Sequence, residues 1–537
     1  MPSAYTYPGV YVEEVPSGVR TITGVSTSNT AFVDFFARGP MNEAVQVTSM
    51  EDFNRRFGGL HRDSEASYAI AQYYLNGGQI AWVVRVAAGK AIAAQYEFAA
   101  GSSPAGGSLI VEAASPGLWA KDRVQVAVDH LTRTPAPGEQ LFNLAVRELD
   151  AGGKSVAASE VHRNVSMDPT HPRYVESVVA VESQLIRVVD VGNGGPPSVP
   201  AGTNVTDPEA IADRDSALFH KLGDITNSNG TTTAVSDGGP PLADDLIAGM
   251  AALRTLAPEI FNILCLPRAS ELEPAAMDKV IEEAEKLCLD ERGFLIVDPH
   301  KDTERLDQLG PWFKSNGDNL RHRNAALYFP RLRIPDALNE GRPREVGSSG
   351  TVAGVYARTD AARGVWKAPA GADDGGLDGA AIPLQITDLE NGRYNPLGVN
   401  ILRTFPIFGN VVWGARTLDG ADQQASEWKY VPVRRTALFI EESLSQGLKW
   451  VVFEPNDEPL WAQIRLNVGS FMHDRFRQGA FQGKTPREAY FVKCDSETTT
   501  QSDIDHGIVN ILVGFAPLKP AEFVVIRIQQ IAGQLAT

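Results

Sequence analysis

The sequence predicts a multidomain α/β protein, and three observations carry that reading. A length of 537 residues exceeds what one hydrophobic core organises, at about 150 residues per domain. Between Leu242 and Pro335 short apolar blocks alternate with amphipathic helical stretches, which is the order of a parallel sheet covered by helices. Between residues 96 and 235 the pattern changes to short alternating runs separated by Gly/Pro/Ser clusters, as in an inserted all-β domain.

The elements follow in chain order. Tyr7–Gly18 has a β-prone centre between Pro8 and Pro16, so it reads as an edge strand that needs a sheet to join. Asn29–Phe36 and Ala81–Val86 are apolar strands, and Val45–Val47 alternates. Ser64–Leu75 is a helix with Ser64 as cap, stopped by Asn76-Gly77-Gly78. The insertion holds strands at Leu109–Glu112, Val124–Val128, Phe142–Val146 and Leu185–Val191. Phe261–Leu266, Phe294–Val297 and Ala325–Phe329 are blocks without alternation, as expected of strands buried on both faces. Glu273–Leu289 places Ala276, Met277, Val280, Ile281, Ala284 and Leu287 on one helical face, with Pro274 suited to the first turn. The last 140 or so residues predict strands at Val411–Arg416, Trp450–Phe453, Ala489–Lys493, Ile508–Phe515 and Phe523–Ile528, with helices at Arg435–Gln446 and Glu458–Arg477. Both ends therefore read as strands on Pro-bounded leashes.

Composition narrows the function classes. Apolar residues make up 43% and charged residues 21%, near globular averages. Lys+Arg total 49 against 66 Asp+Glu, a formal charge of -17, so nucleic-acid backbones and anionic lipid are poor partners. The three cysteines, Cys265, Cys288 and Cys494, are dispersed and form no C-x-x-C pair, which fits core thiols in a reducing compartment. No Sec-type leader and no apolar run of about 18 residues is present, so a protein made in a cytoplasm, with no membrane insertion, is expected.

Candidate chemistry fails at each motif. Gly479 and Gly483-Lys484-Thr485 enclose three residues where a phosphate-binding loop needs four, and a helix precedes the loop in place of a strand. Gly347-Ser348-Ser349-Gly350 lacks the G-x-S-x-G elbow. The histidines are scattered, His61, His162, His171 and His220 in polar stretches read as loops; His300 alone falls at the carboxyl edge of the parallel sheet. Asp495–Asp505 has Thr500 and His506 where a calcium loop needs Gly and Glu. No catalytic residue, cofactor or metal ligand is assigned. Arg331/Arg333, Arg342/Arg344 and Arg434-Arg435 are small basic clusters in an acidic chain, suited to self-contact between copies.

The second half carries a resemblance. Ser349–Ala370, with Gly354, Tyr356, Arg358, Asp360, Arg363, Gly364 and Trp366, resembles the signature segment of contractile tail sheath proteins of phages and related contractile injection systems. Trp413–Leu418, Glu427–Arg435 (ending in Arg434-Arg435), Ile440–Ser443, Trp450–Asn456 and Ala516–Phe523 continue it in order, and Tyr7–Glu14 resembles the family's start. The resemblance covers about residues 5–90 and 245–535 and leaves out the insertion. It implies a subtilisin-like α/β sheet domain without a catalytic triad, a C-terminal α+β domain with exchanged terminal strands, and the inserted β domain. The implied division is 1–23 (N-terminal arm), 24–95 (first part of the core), 96–240 (insertion), 241–400 (subtilisin-like domain), 401–520 (inner C-terminal domain) and 521–537 (C-terminal arm).

The resemblance further implies a non-enzymatic subunit that polymerises into a helical contractile tube, in hexameric rings or a six-start helix. Its expected partners are other copies of itself, an inner tail tube protein, and baseplate and tail terminator proteins. Assembly is expected in the cytoplasm, followed by residence in a phage tail or injection particle. Exchanged strands would be Val10, Tyr11, Val12, Glu13, Glu14 and Val15, and Phe523, Val524, Val525, Ile526, Arg527 and Ile528. Glu458, Arg465, Asp474 and Arg475 are the expected tube contacts. On the residues themselves, Gly350, Gly354 and Gly364 read first as backbone-geometry glycines and Trp366, Trp413 and Trp450 as core. A static tail-tube or shell protein and a degenerate subtilisin-fold hydrolase are the competing readings.

Overall fold

A computed structural model describes residues 20–98, 108–192, 196–197, 203–226, 231–316 and 320–527. The chain divides into two compact units, Thr27–Ala362 with Pro369–Val431, and Met1–Ser26 with Arg363–Ala368 and Pro432–Thr537. The expected boundary between residues 400 and 401 falls inside a strand, Val399–Phe405, that belongs to the first unit.

The first unit is built on an eight-stranded sheet. Its order is Gly409–Val412, Val399–Phe405, Ala325–Phe329, Phe294–Val297, Ile263–Cys265, Thr30–Asp34, Ala81–Arg85 and Ala44–Val47. The six inner strands run parallel and the two edge strands antiparallel. The inner strands Thr30–Asp34, Ala81–Arg85 and Ala325–Phe329 are buried at every position, which is why they read as unbroken apolar blocks. Val399–Phe405 joins by pairing Val399 with Leu327; this non-local contact is why the boundary lies beyond residue 400.

Helix Glu65–Leu75 starts where expected, with the Ser64 side chain accepting the Ser67 N–H. Helix Pro274–Asp290 has Pro274 in its first turn and buries Met277, Val280, Ile281, Ala284, Leu287 and Cys288. It also buries Glu285, whose Oε1 has no hydrogen-bond partner among the described residues. Burial, and secondarily Glu282, pushes its carboxyl up to about 8. A raised folded-state pKa means that the favourable neutral form is complete below about pH 4.5 and lost as pH rises through 8. The stability difference between Glu285→Gln and the native chain is therefore expected to shift in the variant's favour by on the order of 3 kcal/mol between pH 4 and pH 9. Urea denaturation at the two pH values checks it, and an unchanged difference contradicts it.

The insertion contains two larger antiparallel sheets and a two-stranded one, Ile225–Thr226 with Thr232–Thr233. One of the larger is His220–Lys221, Val124–Asp129, Phe142–Leu149 and Val156–Val165; the other is Gln95–Phe98, Leu109–Ala113 and Ile186–Val191. It is not all-β: helices Val175–Glu182 and Pro208–Ala212 lie within it. The first of these sets Val175, Val178 and Val179 at helical spacing and buries them in the insertion's own core. His162 sits inside strand Val156–Val165, not in a loop, with Nδ1 3.2 Å from Glu182. The insertion is rooted by backbone pairing of its entry and exit, Ala88 with Gly239 and Ile92 with Ser236. The buried Arg85 guanidinium donates to the Gly39 and Pro116 carbonyls at 2.9 and 2.7 Å across that root.

Three further elements were not read from the sequence, and one was read otherwise. Helix Leu306–Asn316 forms with Pro311 inside it, and Leu332–Asp336 and Arg342–Val346 make a separate hairpin. The signature segment Ser349–Arg363 is a helix. Trp450–Phe453 is not a strand: a 3-10 turn, Lys449–Val451, closes helix Val431–Gly447, and Phe453 takes a positive φ of 72° that no strand admits.

Candidate functional site

The second unit holds the features that the resemblance points to. Helices Val431–Gly447 and Glu458–Arg477 bury Phe439, Ile440, Leu460, Trp461, Ile464, Val468, Phe471 and Met472 in one core. Asp457 caps the second helix through the Leu460 N–H, and Pro459 occupies its first turn. Against this core lies a sheet of only two strands, Tyr490–Lys493 and Leu512–Phe515. Tyr490, Val492, Val513 and Phe515 face the core, whereas Phe491 and Leu512 are exposed. Each strand has a ladder partner on one side only among the described residues, which leaves both outer edges without a described partner strand. Two short strands are marginal by themselves and gain from further pairing.

Beyond Phe515 the chain passes Pro517 and Pro520 and ends its described part in an apolar, unpaired run. Phe523, Val524, Val525 and Ile526 are between 76% and 82% exposed and Arg527 is exposed, with no strand assigned. Ile528 and Val10–Val15 lie outside the described residues. Residues Arg20–Val25 form a strap on the helix pair. The Arg20 N–H donates to Asn467 Oδ1 at 2.9 Å, its guanidinium lies 4.4 Å over the Trp450 ring, and the Val25 N–H donates to Ser443 Oγ at 3.2 Å. Ile22 is buried where Gly447 has no Cβ; a Cβ there would come within 2.5 Å of it.

Most signature residues prove to be architecture. Tyr356 is buried and shares a 2.6 Å hydrogen bond with the Tyr328 hydroxyl. Arg358 donates to the Gly376 carbonyl at 2.6 Å and pairs with Asp378 at 3.3 Å. Asp360 is half-buried and Arg363 exposed. Gly364 has a φ of 89°, the conformation expected of a backbone-geometry glycine, and the Trp366 ring packs over it. Gly350 and Gly354 act differently: their helix crosses Glu65–Leu75 so closely that added Cβ atoms would sit 2.3 Å from the Ala69 carbonyl oxygen and 2.6 Å from that of Tyr73. Trp413 packs against Phe405 with ring centroids 4.5 Å apart and planes tilted by 54°, and it is partly exposed. Trp450 packs partly buried against the helix core, and Arg434 and Arg435 are buried, Arg434 pairing with Glu441 at 3.2 Å.

The four charges expected to face a tube separate into two groups. Glu458 and Asp474 are exposed. Arg465 is half-buried, pairs with Glu458 at 2.5 Å and donates to the Cys494 carbonyl. The Arg475 guanidinium lies 5.3 Å over the Phe471 ring and 5.9 Å over that of Phe439, turned toward its own core.

The carboxyl edge of the large sheet bears on the hydrolase reading. Asp298, at the end of strand Phe294–Val297, accepts the Ser349 N–H at 2.8 Å and its hydroxyl at 2.5 Å. Burial raises its carboxyl above the usual range, against the Ser349 hydrogen bonds and Arg331. His300 uses both ring nitrogens: Nδ1 accepts the Asp302 N–H at 3.2 Å, so the proton resides on Nε2 and is donated to the Leu272 carbonyl at 2.8 Å. Neither nitrogen is left to take the Ser349 proton, which a serine nucleophile requires. Around these lie carboxylates that sequence reasoning did not single out, Asp34, Glu65 and Glu271. Buried Asp34 accepts the Phe35 and Ala66 N–H groups, both at 2.7 Å, and desolvation carries it up to about 7. Glu65 pairs with Arg344 at 2.5 Å, and Arg331 with Glu271 at 2.6 Å. The only signal in the sequence was an acid closing an apolar strand, as Asp34 and Asp298 do. At Gln478–Thr485 the glycines Gly479 and Gly483 take positive φ after the helix end, as a turn does, and Thr500 caps a short helix in the acidic stretch.

Comparison with known proteins bears on the whole chain. Residues 423–531 match the family model of the phage tail sheath C-terminal domain. Over 206 residues the chain is 28% identical to a Pseudomonas aeruginosa (strain UCBPP-PA14) protein named as a prophage major tail sheath protein, covering 38% of this chain and 50% of that one. It is 25% identical over 193 residues to the tail sheath protein of Vibrio phage KVP40, covering 36% of this chain and 27% of the relative. The chain thus matches half the length of the first relative and about a quarter of the second. Among solved structures it resembles the PVC sheath of an extracellular contractile injection system in its contracted state, with a TM-score of 0.57, 19% identity and 98% of both chains covered. The contracted helical sheath of the anti-feeding prophage gives 0.54 and 20% identity over 98% of this chain and all of that one. A sheath tail protein from Listeria innocua gives 0.54 and 12% identity, over 93% and 96% of the two chains. The resemblance to contractile tail sheath proteins holds in sequence over part of the chain and in fold over nearly all of it.

Proposed function

We propose that this chain is the structural subunit of a contractile sheath, polymerising into a helical tube around an inner tail tube and driving that tube forward by contraction. The observation that carries the reading is the pairing, in one unit, of an unfinished two-stranded sheet with an exposed apolar run, Phe523–Ile526. An exposed apolar run and a sheet whose edges have no partner among the described residues are complementary between copies of one chain. Strand addition uses main-chain hydrogen bonds and needs little side-chain specificity. Head-to-tail contacts of this kind do not close, so they build helices.

In this reading the N-terminal strand Val10–Val15 is donated as well. Nineteen residues precede Arg20, enough when extended to reach about 60 Å. The strap Arg20–Val25 fixes the root of that arm to its own helices, so bodies can rotate while strands stay paired. Contraction then draws on interfaces formed as the tube compacts, a few kcal/mol per subunit summed over many copies. No nucleotide is used, and the subtilisin-like sheet serves as a body. Baseplate and terminator proteins would bound the tube, and assembly would precede residence in a phage tail or injection particle. The occupied nitrogens of His300 and the buried Ser349–Asp298 pair favour this over the hydrolase reading.

Deleting Met1–Gly18 is expected to leave a folded protein, because the strap is retained, while abolishing tubes in negative-stain images. Normal tubes from the truncated chain would contradict arm exchange.

A further inference from the structure

One exposed feature is used neither by the strand exchange nor by the core. The loop Trp450–Asn456 presents Phe453 fully exposed, at 102% of its reference area, next to Val452 at 62%. Phe453 also holds a φ of 72°, a region that costs a bulky residue energy and is justified only where surroundings enforce it. The surroundings here do enforce it. The Glu454 N–H donates to the Val451 carbonyl at 3.1 Å, and the Asp457 N–H to that of Pro455 at 3.0 Å. Asn456 clamps the loop from both sides: its Nδ2 donates to the Ile508 carbonyl at 2.9 Å and its Oδ1 accepts the Trp461 indole N–H at 2.9 Å. A strained, rigidly supported aromatic ring that is fully exposed among the described residues has the properties of an interface anchor. The ring adds large apolar area, and little entropy remains to be lost on docking.

The same clamp identifies the occupant. Ile508, itself 47% exposed, leads into Leu512–Phe515, one of the open strands. In the strand exchange proposed above, an added strand comes from a second copy, and Asn456 ties the Phe453 loop to the segment that leads into the accepting sheet. We propose that Phe453 inserts its ring into an apolar socket on a second copy of this chain, beside the accepting sheet edge, and so locks each exchanged contact. The proposal rests on the sheath reading above and extends it to a second point of contact.

The test places the photoreactive residue p-benzoylphenylalanine at position 453 of the full-length chain, purified alone. Irradiated tubes are expected to give covalent dimers and higher ladders on denaturing gels, and dispersed subunits none. A cross-link confined to one chain, to residues 1–19 for example, or tubes without any cross-link, would overturn it. If the unsubstituted chain forms no tubes, the sheath reading fails first and this proposal falls with it. A second variant guards against a folding artefact. Phe453→Asn keeps a residue that tolerates positive φ and removes the ring. Its denaturation midpoint is expected to match or exceed the native one, while the concentration needed for tube formation rises at least about tenfold. An unchanged assembly threshold would overturn the proposal.

Discussion

Replacing Val524 and Ile526 together with proline is expected to abolish tube assembly while leaving the subunit folded. Proline has no N–H to give a sheet ladder and is excluded from central strand positions. Among the described residues these two are exposed and lie in no strand, so the change disturbs no described pairing. The loss thus falls on pairing with another copy alone. Each missing ladder bond leaves a partner carbonyl unsatisfied, costing about 1–3 kcal/mol, and two per subunit would raise the assembly threshold by at least about thirtyfold. Circular dichroism and urea midpoints should match the native chain while sedimentation shows no polymer. Replacing both residues with threonine, which keeps the N–H groups, should restore most assembly. Tubes from the proline variant would remove the C-terminal strand from the account.

The second large effect is on folding. Gly350→Val places a branched side chain where even a Cβ meets the Ala69 carbonyl oxygen at 2.3 Å and its Cα at 2.7 Å. Backbone of the Glu65–Leu75 helix cannot yield as a side-chain tip would, so the two helices must separate. The expected destabilisation is on the order of 3–5 kcal/mol, with loss of soluble protein. Gly469→Ala provides the contrast, since nothing lies within 4 Å of a Cβ there. In the Glu458–Arg477 helix it should stabilise by about 0.5–1 kcal/mol through backbone entropy and helix propensity. Equal effects at the two glycines would contradict the close crossing of the helices.

Which features were legible in the sequence follows from whether their causes are local. Glu458–Arg477 was read to the residue because its start is set nearby, by Asp457 and Pro459. The inner strands were read because burial on both faces leaves apolar blocks such as Ala325–Phe329. Helix Leu306–Asn316 was hidden by Pro311, and Ser349–Arg363 by glycines and threonines that serve packing against another helix at the expense of propensity. Trp450–Phe453 misled because Trp, Val and Phe favour strands, whereas Phe453 sits at positive φ. The pairing of Val399–Phe405 with Ala325–Phe329 spans about seventy residues, and no local pattern announces it. Of the candidate interface, Phe523–Ile526 stood out as an apolar run behind prolines; among the described residues it is exposed and lies in no strand. The unfinished sheet, Tyr490–Lys493 with Leu512–Phe515, appeared only as two separate strands. Closure of that sheet by a neighbouring copy, as proposed above, would be a property of the polymer and leaves no local pattern in one chain.

Helical reconstruction by electron cryomicroscopy of the chain purified alone tests the central claim most directly. The account predicts hollow tubes in which the Tyr490–Lys493 and Leu512–Phe515 sheet of every subunit is extended by strands from neighbouring copies. Discrete monomers, or tubes in which that sheet still has two strands, would contradict it.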